Sequence, residues 1–298
     1  MAVLKGIYPV IPTLFREDNS LDLAAQAKVV HWALESGAHG LVFPGVASEY
    51  NFLGTDERAK LVSLVASEAG GSTPIIGGAS APTVPEVVSA GRNCLEDGIR
   101  HLMVMAPKGL GQDPEAQLGF FQGISESLAD AEIILQNAPQ PIGAGLSARD
   151  ISGIVAACPA ITYVKEETLP SGPAITALLS SGIPHLKGVW GGGGARYIID
   201  EFDRGAIAAL PAVELVDLHV ALYDAHVSGD HDRARHLYRL SLPLLASQAI
   251  YRMRLTKYVL AKRGVAEAFH VRAPLPELDD FAKADIDRMV LDLLDGLA

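Results

Sequence analysis

Several features that would assign this chain to common protein classes are missing from its sequence. It has two cysteines in 298 residues, Cys94 and Cys158, which is too few for a disulfide framework or a cysteine-based metal site. No apolar run approaches the ~18 residues that a membrane-spanning helix needs. The amino-terminal residues lack the order of charge, apolar core and cleavage site of a signal peptide. We therefore expect a cytoplasmic protein that does not enter a membrane.

Basic charge is also scarce. The chain has 24 Lys and Arg against 35 Asp and Glu, which gives a net charge of −11. A protein with this balance and no basic cluster is a poor candidate for binding nucleic acid or an anionic membrane surface. An anionic small-molecule substrate would have to be held by local groups.

Apolar segments are abundant and regularly spaced. Hydrophobic residues make up 49% of the chain and charged residues 20%, which is enough for a large core. Short apolar segments predict eight strands, separated by amphipathic helices at intervals of roughly 20–35 residues. The predicted strands are Gly6–Phe15, Gly40–Pro44, Pro74–Ser80, His101–Pro107, Glu132–Ala138, Ile161–Lys165, Leu186–Trp190 and Gly205–Pro211.

Eight such units predict an α/β fold of the (β/α)₈ TIM barrel type. A doubly wound open sheet is the alternative, but no G-x-G-x-x-G turn follows the first strand. Residues 1–212 would form the barrel core. Residues 213–298 would form the closing helix and a C-terminal helical extension, with predicted helices at Val213–Val227, Asp230–Leu245, Ile250–Lys262 and Ala284–Leu297. We expect both parts to form one compact unit.

The sixth strand ends in a lysine. Alternation places Ile161, Tyr163 and Lys165 on one face of this strand, with Lys165 at its carboxyl end, where barrel enzymes place their reacting groups. Burial disfavours the charged amine and would lower the pKa of Lys165, which suits a nucleophile that forms a Schiff base with a ketone. The structural alternative is a lysine that reaches water or pairs with Glu166 or Glu167.

Three further groups follow predicted strands. The Gly45–Glu49 loop could present backbone N–H groups and the Ser48 hydroxyl to a carboxylate, or be an ordinary connection. Gln136, beside Asn137, could orient a hydroxyl or a water, or be a buried structural amide; it is no general base. The Gly191–Gly194 run could bring backbone close to a ligand, or be a flexible turn.

Other polar residues are weaker candidates. His226, His231 and His236 recur every five residues, which does not align ligands on one helix face, so we expect surface residues and no metal. Glu166 and Glu167 would point to opposite faces, which argues against a pair of catalytic carboxylates there.

The motifs in chain order resemble those of the dihydrodipicolinate synthase / N-acetylneuraminate lyase family. They are GIYPVIPTLF, GVASE, QNAP, YVKEET, the glycine-rich seventh loop and LTKYVLAKRG. The resemblance covers nearly the whole chain. It implies a barrel without a cofactor in which Lys165 forms a Schiff base with a 2-oxo acid, and a homotetramer. It places Ala47 and Ser48 at the substrate carboxylate. Our candidate catalytic residues are Lys165 and Gln136, and the candidate substrate-binding residues are Ala47, Ser48, Glu49, Asn137, Gly191 and Gly192.

The chain also departs from the family pattern. Val46, Ala47 and Ser48 replace the middle of the usual Gly-Thr-Thr-Gly-Glu loop, and Gln136 stands where the family has a proton-carrying tyrosine. The synthases' arginine after this motif is absent. This pattern resembles the branch of the family that dehydrates 2-keto-3-deoxy sugar acids. A pyruvate-dependent aldolase or a dihydrodipicolinate synthase-like enzyme is the alternative, and a barrel that binds a 2-oxo acid without turnover is a further one.

Overall fold

A computed structural model describes residues 3–267 and 270–297 of the chain. Within them, eight parallel strands form a curled sheet in the order β1-β8-β7-β6-β5-β4-β3-β2. The strands are β1 Gly6–Ile7, β2 Leu41–Phe43, β3 Ile75–Gly78, β4 His101–Met105, β5 Glu132–Asn137, β6 Ile161–Glu166, β7 Gly188–Gly191 and β8 Ala208–Ala209. All eight overlap the segments predicted from the sequence.

The two ends of this sheet meet at Val10. This residue forms parallel bridges to Val42, beside β2, and to Ala212, just after β8. Ile11 N donates to Val42 O at 3.0 Å, which joins the first and second strands. The sheet therefore closes into a barrel, which confirms the predicted fold class and excludes the open sheet. The first strand is shorter than predicted because prolines flank Val10 and interrupt the ladder.

Helices connect the strands and cover the outside of the barrel. In the described part of the chain they are α1 Leu23–Glu35, α2 Thr55–Glu68, α3 Val84–Glu96, α4 Pro114–Ser127, α5 Ala148–Ala157, α6 Ser171–Leu179, α7 Ile198–Asp203, α8 Val216–Val227, α9 His231–Tyr251, α10 Met253–Lys262 and α11 Asp280–Leu297. None of them, as far as the chain is described, is both long and apolar enough to cross a membrane.

Side chains fill the interior of the barrel. Tyr8, Met103, Tyr163 and Trp190 are buried there. The rings of Tyr163 and Trp190 stack with centroids 4.5 Å apart, and the Tyr163 hydroxyl accepts a hydrogen bond from Leu4 N at 3.0 Å. Because Lys165 is two residues beyond Tyr163 on the same face of β6, this layer forms the floor under its amine.

The C-terminal extension differs from the predicted boundaries mainly at one junction, although its last helix also begins at Asp280 rather than at Ala284. The predicted break after Leu245 does not occur, and α9 continues through Pro243 to Tyr251. The chain instead turns at Arg252, which has φ 52° and ψ −129°, and α10 begins at the next residue. This turn brings the end of α9 to the mouth of the barrel.

Candidate active site

Lys165 lies at the bottom of a cleft at the carboxyl end of the barrel. Only 5% of the residue is exposed, and its Nζ lies 3.0 Å from Glu167 Oε1. The cleft encloses about 200 Å³, and Ala47, Gln136 and Glu167 also line it. Lys165, Gln136 and Ala47 are therefore brought together where the sequence predicted a site.

Glu167 connects the polar groups of this cleft. Its Oε1 also accepts a hydrogen bond from Gln136 Nε2 at 2.6 Å, and its Oε2 accepts one from Gly193 N at 3.3 Å. Burial opposes ionisation of this carboxyl, but the Lys165 charge and these hydrogen bonds outweigh burial and hold the pKa of Glu167 below its ordinary value. The cleft thus contains an amine and an ionised carboxylate in contact.

Sequence reasoning did not select Glu167, although it contained the signal. Glu166 and Glu167 point to opposite sides, as alternation predicted. The same alternation places Glu167 on the face of Lys165, two residues away, where a strand continues its side-chain pattern. An ion pair between Lys165 and Glu167 was expected only if Lys165 had a structural role. An amine and a carboxylate in one cleft can form such a pair and can also carry out catalysis.

Glu166 and Asn137 form a separate cluster outside the cleft. Asn137 Nδ2 donates to Glu166 Oε2 at 2.9 Å and to Leu146 O at 3.0 Å, and Asn137 Oδ1 accepts from Leu146 N at 2.8 Å. Burial raises the pKa of Glu166, although hydrogen bonds from Thr168 and Asn137 oppose this. Asn137 was expected to bind substrate, but its amide is fully used in fixing the loop after β5.

The Gly45–Glu49 loop is a 3₁₀ turn that reaches the cleft through its backbone. Gly45, Val46 and Ala47 line the cleft. The Ser48 hydroxyl instead accepts from Gly45 N at 2.9 Å and donates to Ile11 O at 2.5 Å. The expected contact between this hydroxyl and a substrate carboxylate is not available in this geometry, because both hydrogen bonds hold the turn together.

Glu49 is turned away from the cleft as well. Its side chain is fully buried, and its Oε1 accepts from Lys257 Nζ at 2.6 Å. Its Oε2 accepts from the backbone N–H groups of Arg272 and Ala273, both at 2.8 Å. The expected role in substrate binding is therefore replaced by a structural one, which anchors the loop to the C-terminal extension.

In the Gly191–Gly194 run, the lack of side chains at two positions leaves space for neighbouring carboxylates. A Cβ on Gly192 would lie 2.3 Å from Glu167 Cγ, and a Cβ on Gly191 would lie 1.9 Å from Glu201 Oε2. Gly191 and Gly192 were expected to approach the ligand, but it is Gly193 and Gly194 that line the cleft. Both have positive φ, 58° and 67°, which a residue without a side chain adopts at little cost.

The outer wall of the cleft contains residues that no sequence motif indicated. Arg196 and Tyr197 follow the glycine run, and Gln248 and Arg252 come from the end of α9. The first pair lies about 50 residues before the second pair in the chain, and the two pairs meet only through the tertiary fold. The sequence alone therefore gave no basis for grouping them.

Two of the three recurring histidines come together elsewhere. His226 on α8 and His231 on α9 lie on either side of a turn, and their ligand atoms and those of Asp203 are all within 4.8 Å of one another. The five-residue spacing did not predict this, because the two residues belong to different helices. Asp203 also accepts from Arg235 Nη2 at 3.3 Å, and among the described residues nothing else at this largely exposed cluster indicates a ligand.

The sequence also matches known proteins over most of its length. Residues 3–292 match the model of the dihydrodipicolinate synthetase family. The L-2-keto-3-deoxyarabonate dehydratase of Azospirillum brasilense is 28% identical over 286 residues, which is 95% of this chain and 92% of that protein. The 4-hydroxy-tetrahydrodipicolinate synthase of Acidobacterium capsulatum is 24% identical over 292 residues, with 97% and 96% covered.

Solved structures agree at the level of the fold. Dihydrodipicolinate synthase from Rhodopseudomonas palustris superposes with a TM-score of 0.90 at 24% identity, over 97% of this chain and 98% of that one. A prophage protein of the same family from E. coli K12, solved in complex with pyruvate, has a TM-score of 0.88 at 19% identity, over 98% and 99%. Together with the family match over 290 residues, the closed barrel and its lysine cleft assign this chain to the dihydrodipicolinate synthetase family of lyases.

Proposed function

We propose that this lyase forms a Schiff base between Lys165 and a 2-keto-3-deoxy sugar acid, and that it removes one water from that acid. The observation that carries the proposal is the position of Glu167 Oε1, which lies 3.0 Å from Lys165 Nζ and 2.6 Å from Gln136 Nε2. An amine nucleophile thus has a carboxylate in contact that can move protons. The name of the 28% identical dehydratase supports the same reaction class.

In the first step the Lys165 amine attacks the C2 ketone. Two of the three protons of the charged amine must leave for an iminium to form, and Glu167, the group in contact, can pass them to the departing C2 oxygen and return to its ionised form. The bond from Nζ to C2 forms, the C2 oxygen leaves as water, and the positive charge stays on the nitrogen. The iminium then attracts electrons from C3 and makes its protons acidic.

In the second step Glu167 takes a proton from C3, and the electron pair moves toward the nitrogen to form a neutral enamine. The enamine expels the C4 hydroxyl, which takes the proton back from Glu167 and leaves as water. A conjugated iminium remains. Hydrolysis consumes one water and returns the free amine, so the net change is the loss of one water. Glu167 supplies the proton carrier that the replacement of tyrosine by Gln136 removes.

Gln136 has a positioning role in this scheme. Its amide donates to the same carboxylate oxygen that contacts Lys165, so it orients that oxygen and stabilises its charge without being a base. The C1 carboxylate of the substrate would lie at Ala47. The first N–H groups of a helical turn have no partner within the turn and can receive an anion.

Product analysis tests the dehydratase proposal against the aldolase. Two series of substrates, 2-keto-3-deoxy pentonates and 2-keto-3-deoxy hexonates, would be incubated with the enzyme, and the products identified by mass spectrometry. Loss of 18 Da, the mass of one water, without pyruvate release supports dehydration. Pyruvate release with an aldehyde would replace the proposal by carbon–carbon cleavage. A thermal shift with pyruvate but no product from any of these acids would favour a binding protein.

A further inference from the structure

Two arginines face the cleft that contains Lys165. Arg196 follows the glycine run, and Arg252 lies at the junction between α9 and α10. Both residues are half-buried and line the same cleft as Lys165 and Glu167. The proposed dehydration of a 2-oxo acid does not use either of them.

Neither arginine has an acidic partner in the described parts of the chain. Arg196 Nη1 donates only to the neutral Gln248, at 3.3 Å from Oε1, and no carboxylate within residues 3–267 or 270–297 pairs with Arg252. Elsewhere in the chain several arginines are paired, such as Arg204 with Asp200 at 2.9 Å. Burial lowers the pKa of Arg196, and the charge of Arg252 acts in the same direction. Two cations thus lie close together without an ion-pair partner among the described residues, and Glu167 acts on Arg196 only through its charge.

The backbone of Arg252 adds a second observation. Its φ of 52° and ψ of −129° belong to a region that glycine occupies easily and that costs a residue with a Cβ of order 1–3 kcal/mol. A glycine would join α9 to α10 with less strain. The backbone at this position therefore gives no reason for an arginine, and this residue lines the cleft.

The charges of the cleft are not balanced by a simple 2-oxo acid. Its charged lining consists of three cations, Lys165, Arg196 and Arg252, and one anion, Glu167. One substrate carboxylate at Ala47 would neutralise one of the two excess positive charges. One positive charge would remain, in a protein whose net charge is −11.

We propose that Arg196 and Arg252 bind a second anionic group at the far end of the substrate from its 2-oxo acid group. The substrate class is then a 2-keto-3-deoxy sugar acid that ends in a carboxylate or a phosphate, rather than in a hydroxymethyl group. Guanidinium groups suit this task because their planar donors match both anions and stay charged. The inference rests on the proposed function, since the 2-oxo group is placed at Lys165.

The test compares substrates that differ only at the far end. The enzyme would be assayed with a six-carbon 2-keto-3-deoxy aldonate, the aldarate that carries a terminal carboxylate, and the 6-phosphate of the aldonate. We expect kcat/KM to be at least tenfold higher for one of the two anionic substrates, and the preferred one identifies the anion. Equal or higher kcat/KM for the hydroxymethyl substrate would overturn the inference without the use of any variant.

Variants then assign the preference to the arginines. Arg252→Gly suits the local backbone, and Arg196→Gln removes the other charge; each should lower kcat/KM about tenfold or more for the anionic substrate and change it less than threefold for the hydroxymethyl one. Arg235→Gln, on the exposed side of α9, is the matched control and should leave both values unchanged. Equal losses on both substrates, or no loss, would overturn the role of the arginines.

One further measurement separates this inference from the proposed function. Pyruvate has no second anionic group beyond its 2-oxo acid group. Borohydride trapping of pyruvate on Lys165 should therefore be unchanged in Arg252→Gly and Arg196→Gln. If pyruvate is not trapped on the unmodified enzyme, the Schiff-base proposal itself fails. If it is trapped but the anionic substrates are not preferred, only the second anion site is rejected. Loss of trapping in the arginine variants would mean that they hold the C1 carboxylate, which also rejects it.

Discussion

Glu49 and Lys257 are 208 residues apart in the sequence and form a fully buried ion pair, with Nζ 2.6 Å from Oε1. Lys257 Nζ also donates to His270 O at 2.6 Å and lies 4.6 Å from the centre of the Phe15 ring. Burial lowers the pKa of Lys257 to about 8, although Glu49 opposes this. The pair connects the loop that lines the cleft to the C-terminal extension.

Breaking this pair on one side should destabilise the fold strongly. Lys257→Met leaves the Glu49 carboxylate buried without its cation, and we expect it to reduce the free energy of unfolding by about 3–5 kcal/mol, measured by urea denaturation. The double variant Glu49→Gln, Lys257→Met should lose less than the two single variants together. If the double variant loses the sum of the two single losses, the two side chains are not energetically coupled, which would contradict the ion pair seen in the structure.

Glu167→Gln should separate Schiff-base formation from turnover. Because the pKa of Glu167 is held below its ordinary value, the carboxylate is ionised at pH 7, and the amide removes that base. We expect kcat to fall about 10²–10⁴-fold, while pyruvate is still trapped on Lys165, but more slowly because the amine loses the base that accepts its protons. Glu166→Gln is the matched control, since its side chain bonds to Asn137 outside the cleft and should leave kcat within a few-fold. Similar losses in both variants would contradict the assignment.

A methyl group on Gly192 should displace the same carboxylate without changing its chemistry. The added Cβ would lie 2.3 Å from Glu167 Cγ, so Gly192→Ala should lower kcat at least tenfold through a shift of that side chain. Gly109→Ala is the control, because a Cβ there has no neighbour within 4 Å. Both variants should keep the far-ultraviolet circular dichroism of the parent. Unchanged kcat in Gly192→Ala would show that the carboxylate position is not critical.

His219 should make the fold sensitive to acid. Both ring nitrogens are buried and have no partner in the described structure, and burial lowers the pKa of His219 to about 4, although Asp217 opposes this. In the unfolded chain the pKa is near 6.5, so only the unfolded state takes up this proton between those values. The contribution of neutral His219 is fully present above pH 6.5 and falls by about 3 kcal/mol as the pH drops to about 4.

His219→Leu removes this titration. The difference in unfolding free energy between the parent and His219→Leu should therefore shift in favour of the variant as the pH falls from 7 to 4. Urea denaturation at several pH values measures it. A difference that does not change with pH would show that the ring is solvated or paired.

The fold could be predicted from the sequence because its signals are local and repeated. Each strand is an apolar run followed by an amphipathic helix, and Lys165 and Gln136 could be placed at strand ends by counting alternate residues. The roles of Ser48, Glu49 and Asn137 could not, because their hydrogen-bond partners are tertiary. Lys257, which neutralises Glu49, lies in the C-terminal extension, and no local pattern connects the two.

The same reason applies to the outer wall of the cleft. Arg252 lies at a helix junction that the sequence placed several residues earlier, between Leu245 and Ile250. Which side chains of the extension reach the barrel mouth depends on how α9 and α10 pack, and this is decided by long-range contacts.

Borohydride trapping followed by peptide mass spectrometry tests the central claim most directly. The enzyme would be incubated with pyruvate, reduced, digested and sequenced, with Lys165→Ala and Lys257→Arg treated in parallel. The account predicts one reduced pyruvate on the peptide that contains Lys165 in the parent and in Lys257→Arg, and none in Lys165→Ala, which should also be inactive. An adduct on another lysine, or full activity in Lys165→Ala, would contradict it.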